Sequence, residues 1–167
     1  MERIDGDIIE FGSFQYHSGM LLAEYIKRRN LNKKLYLCDT FEYFSEVHYG
    51  IYKPWTNIHS EDFNFAQVKS LFEPYRFVNL IKGEFEKIVN CIPSNQFSFA
   101  HIDCDTYSAT HFVTDFIYPM ISVGGIMVFE DYRHHELLEA RKLLMILLLI
   151  NKIRYFQCFL YLAASRS

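Results

Sequence analysis

Two segments of the chain, FSFAHIDC at 97–104 and GIMVFEDY at 125–132, are apolar for several residues without alternating and then end in acids. A strand with one wet face alternates apolar and polar residues, so strands apolar on both sides predict a parallel sheet covered by helices on each face. The rest of the sequence has the matching rhythm. Strand-like stretches at 7–12, 34–40 and 77–83 precede those two, and YFQCFLYLAAS at 155–165 reads as a last strand. Helical patterns fall between them: one from Ser18, one over 65–75, a short one from Glu84, one from about Tyr107 to Ile121, and one over 135–151. In the first helix Leu21, Leu22, Tyr25 and Ile26 recur at helical spacing, Glu24 can pair with Lys27 or Arg28, and Ser18 is expected to cap the amino end. This alternation predicts an α/β fold, a three-layer, doubly wound, mostly parallel sheet in a single domain spanning 1–167. The irregular stretch 43–64, with Pro54 and Trp55, is expected to cover a site.

Composition narrows the partners. With a net charge of -3 and no basic run longer than Lys27-Arg28-Arg29, the chain has no nucleic-acid signature. Its 4 cysteines are widely separated without a CxxC pair, which predicts free thiols and no zinc. MERIDGDIIEFG does not read as a signal peptide, so a cytoplasmic location is expected. The most apolar run, LLMILLLI at 143–150, falls short of the roughly 20 residues that cross a bilayer, so no membrane association is expected. The helix over 137–150 is apolar nearly all round, which predicts either a homodimer contact or burial under the chain's own carboxyl-terminal segment.

Laid out as parallel strands, the sequence brings Glu10, Asp39, Asp103 with Asp105, and Glu130 with Asp131 to one rim. One such acid is explained by a turn or a helix cap, whereas acids from four strands at the ligand-binding edge of a doubly wound sheet argue for a site. Asp39, ending the second strand, suits ribose hydroxyls. Gly12 permits a close turn, and the helix start near Ser18 offers N–H groups to a carboxylate or phosphate. Neither GxGxxG nor a Walker sequence is present, which disfavours a dinucleotide or a triphosphate. Asp103, Glu130 and Asp131 are hard oxygen donors that select Mg²⁺, Ca²⁺ or Mn²⁺, and a cation explains how they stay ionised together. His101, inside an apolar strand, reads as a hydrogen-bonded core residue, and Tyr107 and Tyr132 as packing residues. His134 and His135 read equally as a general base or as a solvated pair.

The segments IIEFGSFQYHSG, KLYLCDTFEYF, FVNLIKGEFEKIV, FAHIDCDTY and PMISVGGIMVFEDY resemble, in order and spacing, the macrocin O-methyltransferase family, which methylates sugar hydroxyls in macrolide biosynthesis. The resemblance implies a Rossmann-like class I methyltransferase fold, here shortened at both ends, that uses S-adenosylmethionine and Mg²⁺ on a small hydroxylated substrate. By that resemblance Glu10, Gly12 and Ser18 would line the methionine end, Asp39 the ribose, and Gly83 and Glu84 the adenine. Asp103, Glu130 and Asp131 would hold the metal. Apart from the resemblance, Asp103 and His134 are the candidate catalytic residues, His134 by its place near the rim after Glu130 and Asp131. The chain departs from the family pattern at Tyr16 and His17, where glycines are usual, and at Tyr43. A side chain at position 16 is expected to weaken or alter cofactor binding. The first strand begins at Asp7, so the cover of the site is expected to be missing or to come from elsewhere. Two further readings stay open: a glycosyltransferase using Asp103-x-Asp105 on a nucleotide-sugar, and a diverged methyltransferase fold that no longer turns over.

Overall fold

A computed structural model describes residues 2–13, 16–41, 65–104 and 106–129. Its strands are β1 (Asp7–Phe11), β2 (Leu35–Asp39), β3 (Val78–Lys82), β4 (Phe97–Ile102) and β5 (Ile121–Phe129). The helices are α1 (His17–Arg28), α2 (Phe65–Phe72), α3 (Phe85–Ile88) and α4 (Tyr107–Ile117). All four strand pairings are parallel, in the order β3-β2-β1-β4-β5. The chain therefore winds outward from β1 to β3 and returns to the other side of β1 with β4. That reversal puts the switch point between β1 and β4, where an open parallel sheet binds its ligand.

The two faces of the sheet carry separate cores. Ile8, Leu35 and Leu37 pack with Ala23, Ile26, Val68 and Phe72 on the side of α1 and α2. Ile9, Phe11, Tyr36, Cys38 and Ile102 pack with Ile88, Val113 and Ile117 on the side of α3 and α4. Consecutive strand residues point to opposite faces, so the apolar runs of β1, β2 and β4 follow from two covered faces, whereas in β5 only Phe129 is buried. At the amino ends of the strands, the Lys33 ammonium donates to the carbonyls of Ile4 (2.6 Å) and Gly6 (2.5 Å) and to Ser98 Oγ (3.0 Å). Burial pulls its pKa down.

Three boundaries differ from the sequence expectation. Helix α1 starts at His17 with Tyr16 as its N-cap, in the left-handed region and without a side-chain cap bond, so Ser18 sits inside the first turn and caps nothing. The reason is the turn before it: Tyr16 N–H donates to the Ser13 carbonyl (2.8 Å), closing the chain into the helix earlier. Helix α4 ends at Ile117 instead of Ile121, because Pro119 cannot continue an α-helix, and Tyr118–Met120 form a 3₁₀ turn. Strand β5 then begins at Ile121, and its register against β4 slips between Phe97 and Phe99. Gly124, at φ 83°, takes up the extra residues. The cap of α4 is Thr106, which accepts from Ala109 N–H (3.3 Å).

The stretch 43–64, the helix over 135–151 with its dimer contact, and the closing strand lie outside the described residues. Cys38, Cys91 and Cys104 are free thiols. Among the described residues no helix is long and apolar enough to cross a membrane.

Candidate functional site

The site begins where β1 ends. Gly12 has φ 80°, its N–H donates to the Cys38 carbonyl of β2 (3.0 Å), and the next strand over contributes Asp103 N–H to the Phe11 carbonyl (2.9 Å). A Cβ on Gly12 would lie 1.7 Å from the Asp103 carbonyl oxygen. Glycine is thus required twice, by dihedral and by space.

Ser13 follows as the knot of the turn, 1% exposed. Its N–H donates to Asp39 Oδ2 (2.7 Å) and its hydroxyl donates to Glu10 Oε2 (2.9 Å). Asp39, at the end of β2, also accepts at Oδ1 from Phe41 N–H (2.8 Å). Burial pushes the Asp39 pKa up, opposed by the backbone bonds from Phe41 and Ser13. A carboxylate oxygen can accept two hydrogen bonds, so this poorly solvated acid is one that hydroxyl donors from a ligand would stabilise in its charged form.

Glu10 is fully buried, and its Oε1 lies 2.8 Å from His101 Nδ1 on β4. Against an ionised Glu10, Nδ1 is the donor. The expectation that His101 is a hydrogen-bonded core residue holds. Above the carboxylate, Gly19 lets the first turn of α1 close down, since a Cβ there would stand 2.9 Å from Glu10 Oε2. The partial positive charge of the α1 amino end faces the same carboxylate. Glu10 therefore organises the turn from beneath.

Beside Asp39, Gly83 N–H donates to the Asp39 carbonyl (2.9 Å), with φ 147° and Ile88 Cγ2 at 2.6 Å from where a Cβ would be. Glu84 is the extended N-cap of α3 and pairs with Lys87 (2.8 Å). The structure thus brings Glu10, Gly12, Asp39 and Gly83 into one connected set of turns, with Glu84 next to Gly83, Ser18 in the helix turn over Glu10, and Asp103 against Gly12. Glu130, Asp131, His134 and Asp105 lie outside the described residues. Strands β4 and β5 end level, Ile102 opposite Phe129, and the next residues in sequence are Asp103 and Glu130. Among the described residues no group of three His, Cys, Asp or Glu side chains is arranged to hold a metal ion.

Two features of the site do not stand out in the sequence pattern. Ser13 is one, and its only signal is a small hydroxylated residue directly after the turn glycine. The partner of His101 is the other, and equal spacing points to it: Glu10 and His101 each stand two residues before Gly12 and Asp103, and they face each other in the register. Tyr16, the residue that departs from the family pattern beside the turn, stacks its ring on Phe41, with centroids 5.8 Å apart and planes at 27°.

A parallel sheet in this order, with Glu10 and Asp39 near the ends of its first two strands around a glycine turn, is a Rossmann-like fold of the kind class I methyltransferases have. Solved structures agree on the fold. The O-methyltransferase NovP superposes with a TM-score of 0.72 at 18% identity, covering 90% of this chain and 66% of that one. The calicheamicin methyltransferase CalS11 superposes with a TM-score of 0.63 at 18% identity, covering 97% and 69%. Residues 1–143 match the family described as Macrocin-O-methyltransferase (TylF), and the chain belongs to that family. A curated relative from Streptomyces olivaceus, 8-demethyl-8-(2,3-dimethoxy-alpha-L-rhamnosyl)-tetracenomycin-C 4'-O-methyltransferase, is 21% identical over 142 residues. The match takes in 78% of this chain and 54% of that relative, so the chain spans about half the relative's length.

Proposed function

We propose that the protein transfers a methyl group from S-adenosylmethionine to a hydroxyl of a sugar or other small hydroxylated metabolite, assisted by a divalent cation. The observation that carries this reading is the family match over residues 1–143. The site supports it: a half-buried carboxylate at the end of β2, fixed by two backbone N–H groups, suits the two hydroxyls of a ribose. The relative's printed sugar substrate and CalS11's description as a TDP-rhamnose 3'-O-methyltransferase favour a sugar acceptor.

In this reading Asp39 accepts from the ribose, while Gly83 and Glu84 border the adenine. The amino end of α1, with Ser18 in its first turn, faces the methionine carboxylate. Glu10 holds the turn that presents these groups. S-Adenosylmethionine, when bound, supplies an electrophilic methyl group. Asp103, partly exposed just past β4, would hold the cation with Glu130 and Asp131, which follow the level ends of β4 and β5 in sequence. A cation there would lower the pKa of a substrate hydroxyl. His134 is proposed to take the proton. A cytoplasmic location and a homodimer through 137–150 remain part of the proposal.

The test is methyl transfer from labelled S-adenosylmethionine to a panel of nucleotide-linked and free deoxysugars, with Mg²⁺ or with EDTA. Transfer that needs Mg²⁺ and is lost in Asp103→Ala supports the reading. Binding of S-adenosylhomocysteine without transfer to any acceptor would favour the fold that no longer turns over.

A further inference from the structure

We infer that Tyr16 and Phe41 form an aromatic clasp that locks the turn after β1 to the turn after β2 and so positions the Asp39 carboxylate. The inference rests on the reading of Asp39 as a ligand acceptor.

Three observations meet here. Tyr16 and Phe41 both hold left-handed backbone, at φ 58° and 50°, a conformation that side chains with a Cβ disfavour. Aromatic residues stay there only where the surroundings hold them. Each ring is anchored to one of the two turns that grip Asp39. Ser13, whose carbonyl accepts the Tyr16 N–H, donates its own N–H to Asp39 Oδ2, and Phe41 donates its N–H to Asp39 Oδ1. The plane of the carboxylate is therefore set by one amide from each turn, and the spacing of the turns by the stacked rings.

The row of side chains continues outward. Phe41 packs on Phe65 of α2 with centroids 4.9 Å apart, and the Lys82 ammonium at the end of β3 lies 5.4 Å from the Phe65 ring centroid. Tyr16 and Phe41 are 7% and 5% exposed, so the rings are buried in the core of the α1 face. A tyrosine at position 16 is thereby accommodated beside the turn as part of its support.

Two readouts test the clasp on wild type, Tyr16→Gly, Tyr16→Phe and Phe41→Leu. One is the affinity for S-adenosylhomocysteine by titration calorimetry, and the other is hydrogen exchange of the Ser13 and Phe41 amides. Tyr16→Gly relieves the dihedral and removes the ring, so the clasp predicts affinity weaker by about tenfold and exchange at both amides faster by about tenfold, with Ile9 and Leu37 unchanged. Tyr16→Phe restores both, and Phe41→Leu repeats the loss should Tyr16→Gly fold poorly. Unchanged affinity and exchange in Tyr16→Gly and Phe41→Leu would overturn the clasp. Tighter binding in Tyr16→Gly would also overturn it, by showing that the ring obstructs the ligand. Wild type that binds no S-adenosylhomocysteine would remove the methyl-donor reading, and the amide exchange alone would then decide the clasp.

Discussion

Replacing Gly12 with alanine tests the architecture of the site at its tightest point. The added Cβ would lie 1.7 Å from the Asp103 carbonyl oxygen, so the turn after β1 and the end of β4 must separate by more than an ångström. Both sides of that contact are backbone, and no side-chain rotation can relieve it. Alanine at φ 80° costs about 1–2 kcal/mol by itself. Opening the turn forfeits the bonds from Asp103 N–H to the Phe11 carbonyl and from Gly12 N–H to the Cys38 carbonyl, at about 1 kcal/mol each. The total is about 3–4 kcal/mol, a large part of the roughly 5–15 kcal/mol that stabilises a domain. For a chain of this size that lowers Tm by about 6–16 °C. Gly124→Ala is the control, because φ is 83° there but the nearest atom to a new Cβ is Ile4 Cδ1 at an ordinary 3.5 Å. Thermal unfolding followed by far-ultraviolet circular dichroism should show Gly12→Ala losing clearly more than Gly124→Ala. Equal losses would refute the close approach of the two turns.

Further outcomes follow from the same contacts. Glu10→Ala removes the acceptor of His101 Nδ1 and Ser13 Oγ in the interior and should destabilise by about 2–6 kcal/mol in urea unfolding, whereas Glu10→Gln, which keeps the shape, should lose less than half of that. Lys33→Met deprives the Ile4 and Gly6 carbonyls and Ser98 Oγ of their donor at the amino ends of the strands; it should cost about 2–3 kcal/mol and leave S-adenosylhomocysteine affinity unchanged below the unfolding temperature. The pKa of Asp39 is raised by burial above 3.8, so the fold binds its proton more tightly than the unfolded chain does. Its contribution to stability is then largest below the unfolded pKa and falls as pH rises through the folded one. The Tm advantage of wild type over Asp39→Ala should accordingly be greater at about pH 4 than at about pH 7.5.

The parallel sheet is legible in the sequence because its strands are apolar on both faces, and a short two-sided apolar run bounded by turns fits a strand that helices cover on each side. Element ends are harder. Pro119 marks the end of α4 in the sequence, but the start of β5 depends on a register slip at Gly124 that only pairing with β4 reveals. Ser18 has the residue type of a cap, yet the cap position is decided by the Ser13–Tyr16 turn, a contact that local propensity does not encode. The acids stand out as a set because they end strands, while their partners are long-range. Ser13 is 26 residues from Asp39, and His101 is 91 from Glu10. The aromatic contact of Tyr16 with Phe41 joins two turns in the same way, across 25 residues of sequence that local pattern does not bridge.

The central claim is that the turns around Asp39 form a binding site for the methyl donor. Titration calorimetry of S-adenosylhomocysteine into wild type and Asp39→Ala, each with and without Mg²⁺, tests it without knowledge of the acceptor. The account predicts micromolar binding to wild type, on the order of -8 kcal/mol, weakened at least about tenfold in Asp39→Ala. No binding heat with wild type in either condition, or equal affinity in the two proteins, would contradict it.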